Sequence, residues 1–79
     1  MKLTYDPRYN IAYLQLQGNT EQVETIHVSD ELNIALTPDG KIYGIELLNA
    51  NRQLGKEDNG KLIVINEAVG DRQEIPLTR

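Results

Sequence analysis

Apolar residues recur mostly at every second position along this chain, in short runs cut by turn residues. That pattern predicts strands with one covered face. Leu3 and Tyr5 alternate with polar neighbours and predict a strand over 2–5. Asp6-Pro7 marks a turn. Over 11–17, IAYLQLQ puts Ala12, Leu14 and Leu16 on one face, with Ile11, Tyr13, Gln15 and Gln17 on the other. The first set is wholly apolar and is expected to face the core. Gly18-Asn19-Thr20 breaks the alternation. A third strand is expected over 23–28, with Ile26 and Val28 inward and Val23, Thr25 and His27 outward. Leu32, Ile34 and Leu36 share a face in a fourth, over 32–37.

The fifth strand, over 41–48, is reached through Thr37-Pro38-Asp39-Gly40. Pro presets φ for a tight turn, Asp39 can bond the local backbone, and Gly40 accepts a left-handed conformation. Ile45 and Leu47 share a face, but Ile42 falls out of phase. Either a bulge near Gly44 restores Ile42 to the core side, or the strand is covered on both faces. NANRQL predicts a short helical turn near 50–54, and GKEDNG a loop. Residues 61–66 and 73–77 form a C-terminal hairpin around Gly70-Asp71, and Pro76 confines the last strand to a sheet edge. The fold class is therefore mainly β. It is a small antiparallel sheet, a meander of five strands, with a short helical turn and a C-terminal hairpin. Short connections favour antiparallel neighbours.

Length and composition narrow this further. With 79 residues the chain is expected to be a single domain over 1–79, with a core at 1–54 and an extension at 55–79. A domain this small is marginal without a staple, and with no Cys it has neither a disulfide nor a thiolate metal site. Self-association is the expected source of extra buried area. A homodimer is expected, through an apolar sheet face or through Leu62 to Ile65. The apolar set of 10 Leu, 8 Ile and 4 Val, with no Phe or Trp, suits a sheet packed on itself or on a second copy.

Charge changes the list of partners. The net charge of −4 falls wholly on residues 1–40, where two basic residues face six acidic ones. That disfavours nucleic acid, whose phosphates need clustered Lys and Arg, and suits a small basic protein partner. The first residues carry no apolar segment of signal-peptide type, and no run reaches transmembrane length, so no membrane partner and a cytoplasmic location are expected.

Candidate chemistry is sparse. Asp39 reads as a turn aspartate before it reads as a ligand. His27 is the only histidine. It has the chemistry of a general base or metal ligand, but no HxH or HExxH spacing accompanies it. Ser29 shares its face if the strand runs that far, and Asp30 is adjacent. Residues so close in sequence rarely reach triad geometry, and no nucleophile elbow is present. Glu46 sits in an apolar strand. Buried, it would have a raised pKa suited to acid–base work; on a wet face it keeps the sheet soluble, and the second reading is preferred. Tyr5, Tyr9, Tyr13 and Tyr43 lack the basic interleaving of a base-stacking surface and are read as packing residues. No catalytic, cofactor-binding or metal-binding residue is assigned, and no cofactor is expected.

Three stretches in order carry a family resemblance. They are Tyr5-Asp6-Pro7 followed by IAYLQL, then VETIHVSDELNIAL, then Pro38-Asp39-Gly40-Lys41 running into Gly44-Ile45-Glu46-Leu47-Leu48-Asn49-Ala50. Over roughly 1–54 this resembles DUF2283, a family of small prokaryotic proteins of unknown function. Arg8-Tyr9-Asn10 departs from the acidic, Ala-rich turn common there, and Ala35, Thr37 and Pro38 stand where the family often has an acidic residue. The resemblance implies a β-rich fold, offers no catalytic residues to carry over, and suggests an antitoxin-like partnership. The functional expectation is a non-enzymatic protein-interaction module. The alternative is a small-ligand- or metal-dependent activity using Glu46 and His27.

Overall fold

The computed structural model describes residues 1–18, 22–54 and 60–77. The elements are β1 (Lys2–Asp6), β2 (Ile11–Gln15), β3 (Glu24–Ser29), β4 (Leu32–Leu36), β5 (Ile42–Leu48), α1 (Ala50–Leu54), β6 (Lys61–Asn66) and β7 (Asp71–Pro76). The mainly β expectation holds: a five-stranded antiparallel sheet, a short helix and a C-terminal hairpin. Several strand ends move by one or two residues, which is ordinary fraying. β2 stops at Gln15 rather than Gln17, although the Leu16 amide still donates to the Tyr43 carbonyl at 2.8 Å. Asn19 and Thr20, and most of the GKEDNG loop, lie outside the described residues.

The strand order is β1-β2-β5-β4-β3. Sequential pairing holds for β1–β2 and for the run β3–β4–β5. The β2-to-β3 connection instead passes to the far edge, and β5 returns to lie between β2 and β4. The Pro-Asp-Gly turn has the expected chemistry. Gly40 takes φ +85° and its amide donates to the Thr37 carbonyl at 2.9 Å. The Thr37 hydroxyl donates to Asp39 and accepts from the Lys41 amide at 3.1 Å.

Of the two accounts of β5, the bulge is the one observed. Ala35 pairs with Gly44 and Leu36 with Ile42, leaving Tyr43 unpaired and Ile42 on the Ile45 face. A second bulge interrupts β3 between His27 and Ser29. It overturns two expectations. Val28 falls inside the bulge, 52% exposed, instead of packing inward. Ser29 pairs with Leu32, so it takes the opposite face from His27, which pairs with Asn33.

The register sorts the sheet into two faces. On one, Leu3, Leu14, Ile45, Ile34 and Ile26 form a continuous row across all five strands. Tyr5, Ala12, Leu47 and Leu32 form the next row. No Leu, Ile, Val or Tyr among the described residues is buried. The buried positions are Ala12, Ala35 and Ala50 with glycines 44 and 60. The sheet is a single layer, and the chain exposes 6177 Å². A compact monomer of this mass exposes about 4,800 Å².

α1 closes one end of the sheet. The Ala50 amide donates to the Asn10 carbonyl at 2.9 Å, and Gln53 Nε2 donates to the carbonyls of Leu48 and Glu31 at 2.6 and 3.0 Å. No helix among the described residues is long and apolar enough to cross a membrane.

Candidate functional site

The polar face carries the candidate chemistry. Thr4, Tyr13, Glu46, Asn33 and His27 stand in register across β1, β2, β5, β4 and β3. Asn33 joins the two residues singled out in the sequence. Its Nδ2 donates to Glu46 Oε1 at 2.9 Å, and its Oδ1 lies 2.9 Å from His27 Nδ1. Since that amide oxygen can only accept, His27 Nδ1 carries the proton. His27 Nε2 points at Asp30 Oδ1, 4.0 Å away.

His27 and Glu46 therefore lie on one hydrogen-bonded row without touching. An amide between an imidazole and a carboxylate holds both in place but passes no proton from one to the other, so the row is not an acid–base pair. Ser29 lies on the other face, its Oγ accepting from the Glu31 amide at 3.2 Å, and no triad forms. The His27 side chain is 65% exposed. Glu46 is half-buried on this face. Among the described residues no group of three His, Cys, Asp or Glu side chains stands close enough to hold a metal ion.

Tyr13 completes the row beside Glu46. Burial pushes its phenol pKa up, and the nearby Tyr43 and Glu46 push it the same way. Tyr9 is exposed under the Arg8 guanidinium, 5.6 Å from its ring centre, so it packs with its neighbour rather than into the sheet. Asp39 is a turn residue, bonded to Thr37 and 3.6 Å from Lys41 Nζ. A cavity of about 380 Å³ is lined by Gln22, Val23, Glu24, Leu36, Thr37, Pro38 and Gly40, and neither His27 nor Glu46 reaches it.

Two sets of residues escaped the sequence reading. Asn33 bridges the polar row, and its signal was the hairpin register that sets it opposite His27. Asn10, Asn49 and Asn51 tie the first turn to α1 through side-chain bonds of 2.8 and 3.1 Å. Asn10 and Asn49 both take positive φ, a conformation that asparagine tolerates.

The opposite face is mainly aliphatic, with Glu24 and Ser29 at its β3 edge, and its large aliphatic residues are only half covered. Together the two faces define a single-layer antiparallel β protein with one wet, hydrogen-bonded face and one open apolar face. The family described as "Protein of unknown function (DUF2283)" matches residues 2–51, so the chain belongs to DUF2283. The resemblance carried by the three sequence stretches is thus borne out, and β1 to β5 are the family's part of the chain. No curated protein matches the chain, and no solved structure does.

Proposed function

We propose that this protein is a non-enzymatic interaction module that works as a homodimer through the apolar face of its sheet. The observation carrying this reading is the open row Leu3, Leu14, Ile45, Ile34 and Ile26 on a single-layer sheet. A sheet with one apolar face needs a second layer, and the described helix is too short to supply it. The surface in excess of a compact monomer, about 1,400 Å², exceeds the roughly 800 Å² that each partner buries in a standard interface. An isologous pair lets the same face serve both chains.

This arrangement leaves the polar face outward. With the acidic charge of residues 1–40, that face suits a small basic protein as second partner, in an antitoxin-like role. The reading takes residues 1–79 as one unit and the prokaryotic cytoplasm as its setting.

Light scattering at micromolar concentration tests the dimer. The expected mass is twice 8.9 kDa, and Ile34→Asp, which puts a charge in the apolar row, is expected to abolish it. A folded monomer of the unaltered chain overturns the reading. A ligand- or metal-dependent role for Glu46 and His27 has one observation in its favour, their shared row through Asn33. A His27 ring signal that moves on titration with zinc, and stays put in Glu46→Gln, would support that alternative.

A further inference from the structure

The two edges of the sheet differ. β3 is broken by its bulge between His27 and Ser29, a device that blunts an edge against a further strand. β1 has no such device. It pairs with β2 without a break from Lys2 to Asp6, and no described strand pairs with its outer side.

The register shows what that outer side presents. The Leu16 amide bonds the Tyr43 carbonyl, so Ala12, Leu14 and Leu16 turn their backbone groups to β5. Ile11, Tyr13 and Gln15 then turn theirs to β1, where they meet Asp6, Thr4 and Lys2. Leu3 and Tyr5 are left with N–H and C=O groups pointing away from the sheet.

We propose that the β1 edge is a self-pairing site, which joins two copies of this chain antiparallel about a two-fold axis at Thr4. Each Leu3 then faces Tyr5 of the partner subunit, and the pair exchanges both amide–carbonyl bonds. Lys2 faces Asp6 of the partner subunit, and Thr4 faces its own counterpart. KLTYD is thus complementary to its own reverse: opposite charges at the ends, an aliphatic–aromatic pair inside them and a Thr–Thr pair at the centre. Asp6 already accepts from Arg8 at 2.9 and 3.0 Å, and its carboxylate has lone pairs left for Lys2. Neighbouring registers lose this match. With Tyr5 opposite Tyr5, Lys2 meets the like charge of Arg8, and Leu3 meets Pro7, which has no N–H. With Leu3 opposite Leu3, Lys2 meets Thr4, and Asp6 lies beyond the start of the opposite strand.

This site goes beyond the homodimer reading and uses a different surface. The axis runs through the plane of the sheet, so Leu3 and Tyr5 of both copies lie on one side and the apolar face continues across the seam. The face contact stays free to form. A seam of two five-residue strands is far smaller than the roughly 1,200–2,000 Å² of a stable interface. It therefore closes at higher concentration than the face contact.

The chain has no native cysteine, which makes the test direct. Thr4 sits on the axis in a non-hydrogen-bonded pair, whose Cα atoms lie about 4.5 Å apart, within reach of a disulfide. Full-length Thr4→Cys, oxidised at millimolar concentration, is expected to give the 4–4 disulfide as its main product. Thr25→Cys, equally exposed on the β3 edge, is expected to stay mostly reduced. Equal yields overturn the site. Amide exchange on the unaltered chain is independent of how the variants fold. From micromolar to millimolar concentration the Leu3 and Tyr5 amides should slow about tenfold, while those of Thr4 and Asp6, already turned to β2, change little. Unchanged Leu3 and Tyr5 rates overturn the site. Light scattering at micromolar concentration bears on the face contact alone, so the two readings fail separately.

Discussion

The Tyr13 ring covers the backbone of Gly44, so closely that a Cβ placed on Gly44 would fall 2.6 Å from the ring's Cε1. The glycine beside the β5 bulge is therefore the seat of a tyrosine from the neighbouring strand. Gly44→Ala must push the ring off the sheet, at a cost of about 1–2 kcal/mol, because the half-buried ring has water to move into. In a Tyr13→Ala background the same change should be neutral or stabilising, since alanine suits a strand better than glycine. Urea midpoints of the four proteins of this double-mutant cycle check it. Equal effects in both backgrounds would rule out the seat.

Asn33 is the second specific contact on the polar face. Asn33→Leu removes the bonds to both His27 and Glu46. Both partners remain within reach of water, so the expected loss is about 1 kcal/mol, well short of a buried network. The sharper readout is nuclear magnetic resonance of the His27 ring nitrogens. The native chain should hold its proton on Nδ1, and the variant should lose that bias. An unchanged tautomer ratio would show that Asn33 does not orient the ring.

Period-two alternation made the strands legible, but the phase slip between Ile42 and Ile45 left a bulge and a strand covered on both faces equally open until the register decided for the bulge. The Pro-Asp-Gly turn and the helix at 50–54 were equally local. Strand order was not legible, because the pairing of Ala12 with Leu47 joins residues 35 apart and alternation reports a face, never a neighbour. The bulge after His27 was hidden because VETIHVS alternates acceptably without it, and so Val28 and Ser29 were assigned the wrong surroundings. The polar row was half visible. His27 and Glu46 stood out by type, while Asn33 acquires its meaning only from the register that sets it between them.

Asn10 joins two parts of the chain that the sequence left separate. Its Oδ1 accepts from the Asn51 amide at 2.6 Å and its Nδ2 donates to Asn49 and Asn51, all from a backbone with φ 58°. Asn10→Gly keeps the backbone and loses the bonds, for about 1 kcal/mol. Asn10→Ala loses the bonds and strains the backbone, for about 1 kcal/mol more. Urea midpoints in that order support both roles; equal midpoints would remove the backbone one.

The pH dependence of stability follows from four groups. The Thr37 hydroxyl beside Asp39 lowers its carboxyl pKa, and Lys41 adds to the effect. Hydrogen bonding from Arg8 does the same for Asp6, and hydrogen bonding from Lys61 for Glu74, where the Lys61 and Arg72 charges reinforce it. A carboxyl whose folded pKa lies below its unfolded value contributes fully above the unfolded value, near 4, and loses that contribution as pH falls through the folded one. Tyr13 acts at the other end. Its folded pKa is raised above the unfolded value near 10, so its contribution is complete below that and is lost as pH rises through the folded value. Urea midpoints at fixed protein concentration should be flat from about pH 6 to 8, fall below about pH 5, and fall again above about pH 10. Asp39→Asn should make the acid limb shallower and leave the alkaline limb alone, and Tyr13→Phe should do the reverse. If either variant changes both limbs alike, its group is not the one titrating.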